Sequence, residues 1–199
     1  MSDIFCPYKD RYFDVASLVT PDRLYILETL MFNSNRIEGD FVECGVYKGG
    51  TAKLALEIIN ESKKIFLFDT FSGMPEVNKA IDLHRKGDFS DSSLQIVKDY
   101  LCDGRAVFKP GLIPESFSEP EVESLKIAFA HVDVDIYQSV LDSFRFIYPR
   151  LSVGGVIVCD DYGFPTCPGA KMAVDEFCKS IGILPLVLPT GQAIVIKNA

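Results

Sequence analysis

A chain of 199 residues suits a single domain that buries its own core without disulfide staples. With 48% hydrophobic and 24% charged residues and a mean hydropathy of +0.16, it reads as a folded globular protein and not a disordered one. The net charge of −8, with basic residues scattered along the chain, excludes a phosphate-backbone binder, because nucleic-acid affinity needs clustered Lys and Arg. Six cysteines lack any Cys-x-x-Cys pair and predict reduced, mostly structural thiols. The opening MSDIFCPYKD has no basic region followed by an apolar one, and no apolar run approaches the roughly 18 residues of a membrane span. The expectation is a cytoplasmic protein with no membrane or nucleic-acid partner.

In chain order, TPDRLYILETLMFNSNR (20–36) opens with Thr20 as a candidate N-cap and Pro21 at the first helical position. Leu24, Leu27, Leu30 and Met31 follow at helical spacing, which predicts an amphipathic helix. Next come strand DFVECG, a glycine-rich turn GVYKGG, helix TAKLALEIINES and strand KIFLFDT. Residues 70–90 carry no periodicity, and an irregular segment of that length inside a compact domain points to function or mobility. Helix SDSSLQIVKDYLC leads to strand RAVFKPG; after a polar stretch, strand LKIAFAHVDVD leads to helix YQSVLDSFRFIYPRL, and strand GGVIVCDD to helix GAKMAVDEFCKSI. Apolar strands alternating with helices predict an α/β fold with a mostly parallel sheet covered on both faces. In the tail, ILPLVLPTGQAIVIK places two strand-like runs too close for a crossover helix, so an antiparallel edge hairpin is expected. The division is one domain over 1–199, with an N-terminal helical segment at 1–38 and a Rossmann-like core at 39–199.

Three constellations carry chemistry. In VECGVYKGGTA, Gly45, Gly49 and Gly50 let backbone approach a ligand at a strand-to-helix turn, although a tight turn without a ligand needs the same glycines. The spacing is not the dinucleotide Gly-x-Gly-x-x-Gly, and Glu43 suits a cationic ligand or an amino group better than a pyrophosphate. Asp69, ending the second strand, can accept both hydroxyls of a ribose or can cap the turn at Ser72 and Gly73. The fourth predicted strand ends in Asp133 and Asp135 and the fifth in Asp160 and Asp161. Consecutive strands often neighbour one another, so four carboxylates would crowd one sheet edge. A hard divalent cation, Mg²⁺ above others, would compensate Asp133, Asp160 and Asp161. Asp135 is open to a second role as N-cap of the following helix. His131 reads as a core or supporting histidine, and His84 as either a substrate contact or a solvated loop residue.

GDFVECGVYKGGTA, FDTFSGMP, HVDVDIYQS, YPRLSVGG and CDDYGFPTCPGAKMAVDEF together resemble the macrocin O-methyltransferase family over about residues 20–197. The resemblance implies a class I methyltransferase fold with a seven-stranded sheet, and S-adenosylmethionine- and Mg²⁺-dependent methylation of a sugar hydroxyl by a homodimer. It also implies Asp133, Asp160 and Asp161 as metal ligands and Asp135 as general base. The implied cofactor site comprises Glu43, Gly45, Tyr47, Gly49, Gly50, Thr51, Asp69, Thr70, Gly111 and Asp133. Val134 stands where members commonly have Gly. A non-sugar diol such as a catechol would suit the same metal chemistry. A nucleotide-binding dehydrogenase, which lacks its glycine signature here, and a non-catalytic protein of the same fold are the rival classes.

Overall fold

The computed structural model describes Tyr12 and residues 17–198; Cys6 and most of the first part of the expected N-terminal helical segment lie outside the described residues. The first described helix, α1 (Pro21–Ser34), begins at the predicted proline. Thr20 makes no side-chain cap; its hydroxyl instead donates to Asp22 at 2.5 Å and accepts from Arg23 Nε at 3.1 Å. There follow β1 (Asp40–Cys44), α2 (Gly50–Ile58), β2 (Ile65–Asp69), α3 (Leu94–Leu101) and β3 (Ala106–Pro110). A 3₁₀ turn (Glu115–Ser118) and the single-turn α4 (Pro120–Glu123) occupy the stretch read from sequence only as polar. Beyond them lie β4 (Ile127–Val132), α5 (Tyr137–Arg150), β5 (Leu151–Cys159), α6 (Pro168–Ser180), β6 (Leu186–Val187) and β7 (Ala193–Ile196).

The seven strands form one sheet in the order β3-β2-β1-β4-β5-β7-β6. The first five are mutually parallel, and β7 runs antiparallel between β5 and the edge strand β6, as the tail's spacing requires. The strand order reverses between β1 and β4, the place where open α/β sheets leave a crevice at their C-terminal edge. None of the described helices is long and apolar enough to cross a membrane.

The strands' two-residue period divides the interior into two layers. Val42, Cys44, Ala130, Val132, Ile157 and Cys159 face α5 and α6, meeting Val140, Phe144, Ala173 and Phe177. Phe41, Phe129, Val156 and Val158 face the other way, against Leu24, Leu27 and Met31 of α1 and Ala52 and Leu56 of α2. Phe144 is fully buried and meets Phe177 edge-on, with ring centroids 5.4 Å apart. Replacing Phe144 by Ala should therefore cost about 3–5 kcal/mol in a urea melt. The same truncation of the solvent-exposed Leu184 should stay within about 0.5 kcal/mol.

Candidate active site

The strands that matter end level. Cys44 of β1 pairs with Val132 of β4, and Val132 pairs with Cys159 of β5. The ladder continues one step past each end: Asp133 N–H donates to Cys44 O at 2.8 Å, and Asp160 N–H to Val132 O at 2.9 Å. Gly45, Asp133 and Asp160 are thus brought side by side by strand register alone. Gly45 has φ +86°, and a Cβ there would overlap the Asp133 carbonyl oxygen, so this position needs glycine whether or not a ligand binds.

The adjacent aspartates part company. Asp160 is fully buried and belongs to the α1 face, where it is paired with the Arg23 guanidinium and accepts from Gln192 Nε2 at 2.9 Å. His131 Nε2 faces its Oδ1 at 3.6 Å, beyond hydrogen-bond reach, while His131 Nδ1 bonds Glu43 Oε1 at 2.9 Å. Glu43, His131, Asp160 and Arg23 thereby form a buried line of alternating charge. Burial disfavours the imidazolium, but the flanking carboxylates of Asp160 and Glu43 outweigh it and raise His131 well above its ordinary value. Burial would likewise raise Asp160; His131 and Arg23 outweigh it and hold the carboxyl below its ordinary value. Asp161 turns to the α5 side, where its Oδ2 accepts from the Asp135 N–H at 2.9 Å. Burial, then the charges of Asp133, Asp135 and Asp160, pushes the Asp161 carboxyl well up. Burial and Asp160 push Asp133 up to about 8, and Asp135 is also raised by burial.

A cavity of about 310 Å³ lies against these ends, a volume within the range of small-molecule sites. Of the sequence-predicted residues, Gly45, Tyr47, Gly50, Thr51, Asp69, Thr70, Gly111, Asp133, Asp135 and Asp161 line it. Glu43, Gly49 and Asp160 do not. Glu43 lies behind the site with His131, and Gly49, at φ +84°, starts α2 where a Cβ would press on Val97 at 2.9 Å. Asp69 uses its carboxylate as a clamp: Oδ2 accepts from the backbone of Val46 (2.6 Å) and Tyr47 (2.9 Å), and Oδ1 from Phe71 (2.6 Å). It therefore fixes the glycine turn and its own following turn, through Phe71 rather than the expected Ser72 and Gly73, while still facing the cavity.

Asp135 does not cap α5 with its side chain. It holds φ +58°, and the cap position is Ile136. The Tyr137 N–H is instead taken by Asp82 of the long loop at 2.9 Å, beneath Gly169, where any Cβ would overlap the Asp82 carboxylate. The loop is further tied to itself by Met74 N–H to Asp88 O at 2.8 Å and Gly87 N–H to Met74 O at 2.9 Å. It delivers His84 to the cavity wall opposite Asp135, at 3.4 Å. Arg23, Gln192, Asp82 and Cys167 were not found by sequence reasoning. Arg23 alone left a signal, an arginine directly beside the apolar stripe of α1.

The carboxylates of Asp133, Asp135 and Asp161 on one wall, raised by burial and mutual repulsion, fit an oxygen-seeking divalent cation. Beside them, the bare backbone of the glycine turn leaves room for a small ligand to approach.

The family model described as Macrocin-O-methyltransferase (TylF) matches residues 15–187. The demethyldecarbamoylnovobiocin O-methyltransferase of Streptomyces niveus is 31% identical over 159 residues, covering 72% of this chain and 59% of that protein. The 8-demethyl-8-(2,3-dimethoxy-alpha-L-rhamnosyl)-tetracenomycin-C 4'-O-methyltransferase of Streptomyces olivaceus is 29% identical over 175 residues, covering 80% of this chain and 64% of that protein. This chain thus spans about six tenths of the length of these two relatives. Among solved structures, the O-methyltransferase NovP superposes with a TM-score of 0.79 at 25% identity over 92% of this chain and 82% of NovP. The calicheamicin methyltransferase CalS11 shares the fold at TM-score 0.73 and 18% identity, over 98% of this chain and 93% of CalS11. Its sheet order, its strand-end motifs and these matches establish that the chain belongs to the macrocin O-methyltransferase family and has the class I methyltransferase fold.

Proposed function

We propose that the protein is an S-adenosylmethionine- and Mg²⁺-dependent O-methyltransferase that methylates a hydroxyl of a sugar or of a glycosylated small molecule. The observation that carries this reading is that one cavity is lined both by the glycine turn with Asp69 and by Asp133, Asp135 and Asp161. The named activities of the two relatives are both O-methylations, one of them on a rhamnosyl-tetracenomycin, and support the acceptor class.

When bound, S-adenosylmethionine would supply an electrophilic methyl carbon, and Mg²⁺ would lower the pKa of the acceptor hydroxyl. Gly45, Gly50 and Thr51 would seat the cofactor, with Asp69 holding the turn rigid and offering its remaining lone pairs to the ribose. Tyr47, Thr70 and Gly111 would border it. Asp133 and Asp161 would hold the cation; Asp160, whose Oδ2 pairs with Arg23 and whose Oδ1 accepts from Gln192, would add a third oxygen by exchanging one of these partners. Asp135, partly desolvated and therefore more basic than a free carboxylate, would take the hydroxyl proton. The Glu43–His131–Asp160–Arg23 line would hold the strand ends, and with them the carboxylates, in place.

Calorimetry with S-adenosylmethionine, with and without Mg²⁺, should detect cofactor binding in both cases, whereas EDTA should abolish methylation of a glycoside panel. Full turnover in excess chelator would sink the metal role, and preference for catechols in a parallel assay would replace the sugar by another diol. Asp135→Asn should lower kcat by roughly 10²–10⁴-fold while leaving cofactor affinity unchanged, measured by single-turnover methyl transfer. The pH dependence of stability follows from Asp133, whose carboxyl rises from 3.8 to about 8 on folding. The protonated form is favoured in the fold, so its contribution is complete below the ordinary value and is lost as pH climbs toward the raised one. In EDTA the melting temperature should fall across that window, and Mg²⁺ should recover progressively more of it toward the alkaline end.

A further inference from the structure

At the cavity wall, three different donor atoms converge. His84 Nε2 lies 3.4 Å from Asp135 Oδ1, Cys167 Sγ lies 3.6 Å from His84 Nε2, and Cys167 Sγ lies 3.5 Å from the same Asp135 oxygen. A tetrahedral Zn²⁺ with ordinary bond lengths separates a nitrogen and an oxygen ligand by about 3.3–3.5 Å, and a sulfur from either by about 3.6 Å. The observed triangle therefore has the edges of one face of a zinc tetrahedron. We propose that His84, Asp135 and Cys167 form a binding site for a borderline-soft divalent cation, Zn²⁺ by chemistry, separate from the all-oxygen cluster of Asp133 and Asp161.

A further feature favours a ligand set over a chance contact. The other nitrogen of His84, Nδ1, lies 3.3 Å from Asp88 Oδ2, which itself accepts from the Arg85 N–H at 2.9 Å. A carboxylate behind the ring is the usual support of a metal-ligating histidine, since it fixes the tautomer and aims the free nitrogen. Cys167 stands at the N-cap position of α6, where burial and the Asp161 and Asp135 carboxylates push its thiol well up, so the thiolate forms only as a cation displaces the proton. All three residues border the cavity, which leaves the fourth tetrahedral position facing it for water or an acceptor hydroxyl. On binding, the cation forms a bond to sulfur and the thiol proton leaves to the buffer. Donor type separates the two sites, since thiolate and imidazole select Zn²⁺ while carboxylates alone suit Mg²⁺. Asp135 is the residue proposed above as general base. A cation held here would engage that carboxylate, so Zn²⁺ should oppose the methylation that Mg²⁺ supports.

Cobalt reports the site without any need for activity. Chelator-treated, reduced protein titrated with Co²⁺ should develop the intense visible bands of four-coordinate cobalt and a thiolate-to-cobalt charge-transfer band, both bleached by Zn²⁺ and not by excess Mg²⁺. The charge-transfer band should vanish in Cys167→Ser and persist in Cys6→Ser and Cys102→Ser. His84→Gln, on a loop outside the core, should weaken Zn²⁺ at least as much as Asp88→Asn, which should cost about 10–100-fold. Weak octahedral cobalt bands with no thiolate signal would reduce the triangle to ordinary sulfur hydrogen bonds and overturn the site, as would a thiolate band unchanged in Cys167→Ser. Neither result bears on the methyltransfer reading, which is decided by S-adenosylmethionine calorimetry and turnover.

Discussion

The site depends on one close approach, that of the backbone at Gly45 to the carbonyl of Asp133. Parallel strands all leave the sheet at the same edge, and the matched register of β1, β4 and β5 makes three of those exits coincide. Because no side chain can stand at position 45, the turn after β1 lies directly beside the acids after β4. A hollow of small-molecule size and a group of carboxylates then lie side by side, set there first by strand pairing.

Putting Asp160 and Asp161 next to each other would be a poor way to bury two charges if both had to face the same surroundings. The alternating direction of an extended chain resolves this. Asp160 is delivered to the α1 face, where Arg23, His131 and Gln192 compensate it, and Asp161 to the cavity, where among the described residues it accepts from the Asp135 N–H. One member is a structural anion, stabilised by a line of opposite charges that ties α1 to the sheet. Its neighbour is left deliberately short of countercharge. Removing Arg23 would strand a fully buried carboxylate, the costly half of breaking a buried pair.

Much of this was legible in the sequence, for physical reasons that differ by element. Alternation of apolar strand runs with helical stripes carried the α/β layout, and the short spacing around Pro189-Thr190-Gly191-Gln192 carried the antiparallel tail. Aspartates at the ends of apolar runs carried the acid cluster, since a charge at the end of a buried strand must lie at the sheet edge. Roles that rest on distant partners were not legible. Nothing local marks Asp82 as the acceptor for the α5 terminus, so Asp135 stood as the candidate cap. Nothing local shows Glu43 bonded to His131 behind the wall rather than facing the cavity. Cys167 sat in a loop-to-helix junction with no motif, and only the fold sets it against His84 and Asp135.

The bond from Tyr137 N–H to Asp82 also changes what the long segment after β2 is. A free loop between Asp69 and Leu94 would lose closure entropy as one span, a cost that grows only slowly with length. Fastened at Asp82 under Gly169, it becomes two spans of roughly equal reach, and the bonds of Met74 to Gly87 and Asp88 tie one to the other. Insertions around Pro75 to Val77 would fall between two fixed points, the Met74 bonds and the Asp82 anchor, and would be absorbed there without moving His84 and Asp88. That short stretch of the loop can therefore vary in length and sequence without disturbing the side chain that meets Asp135.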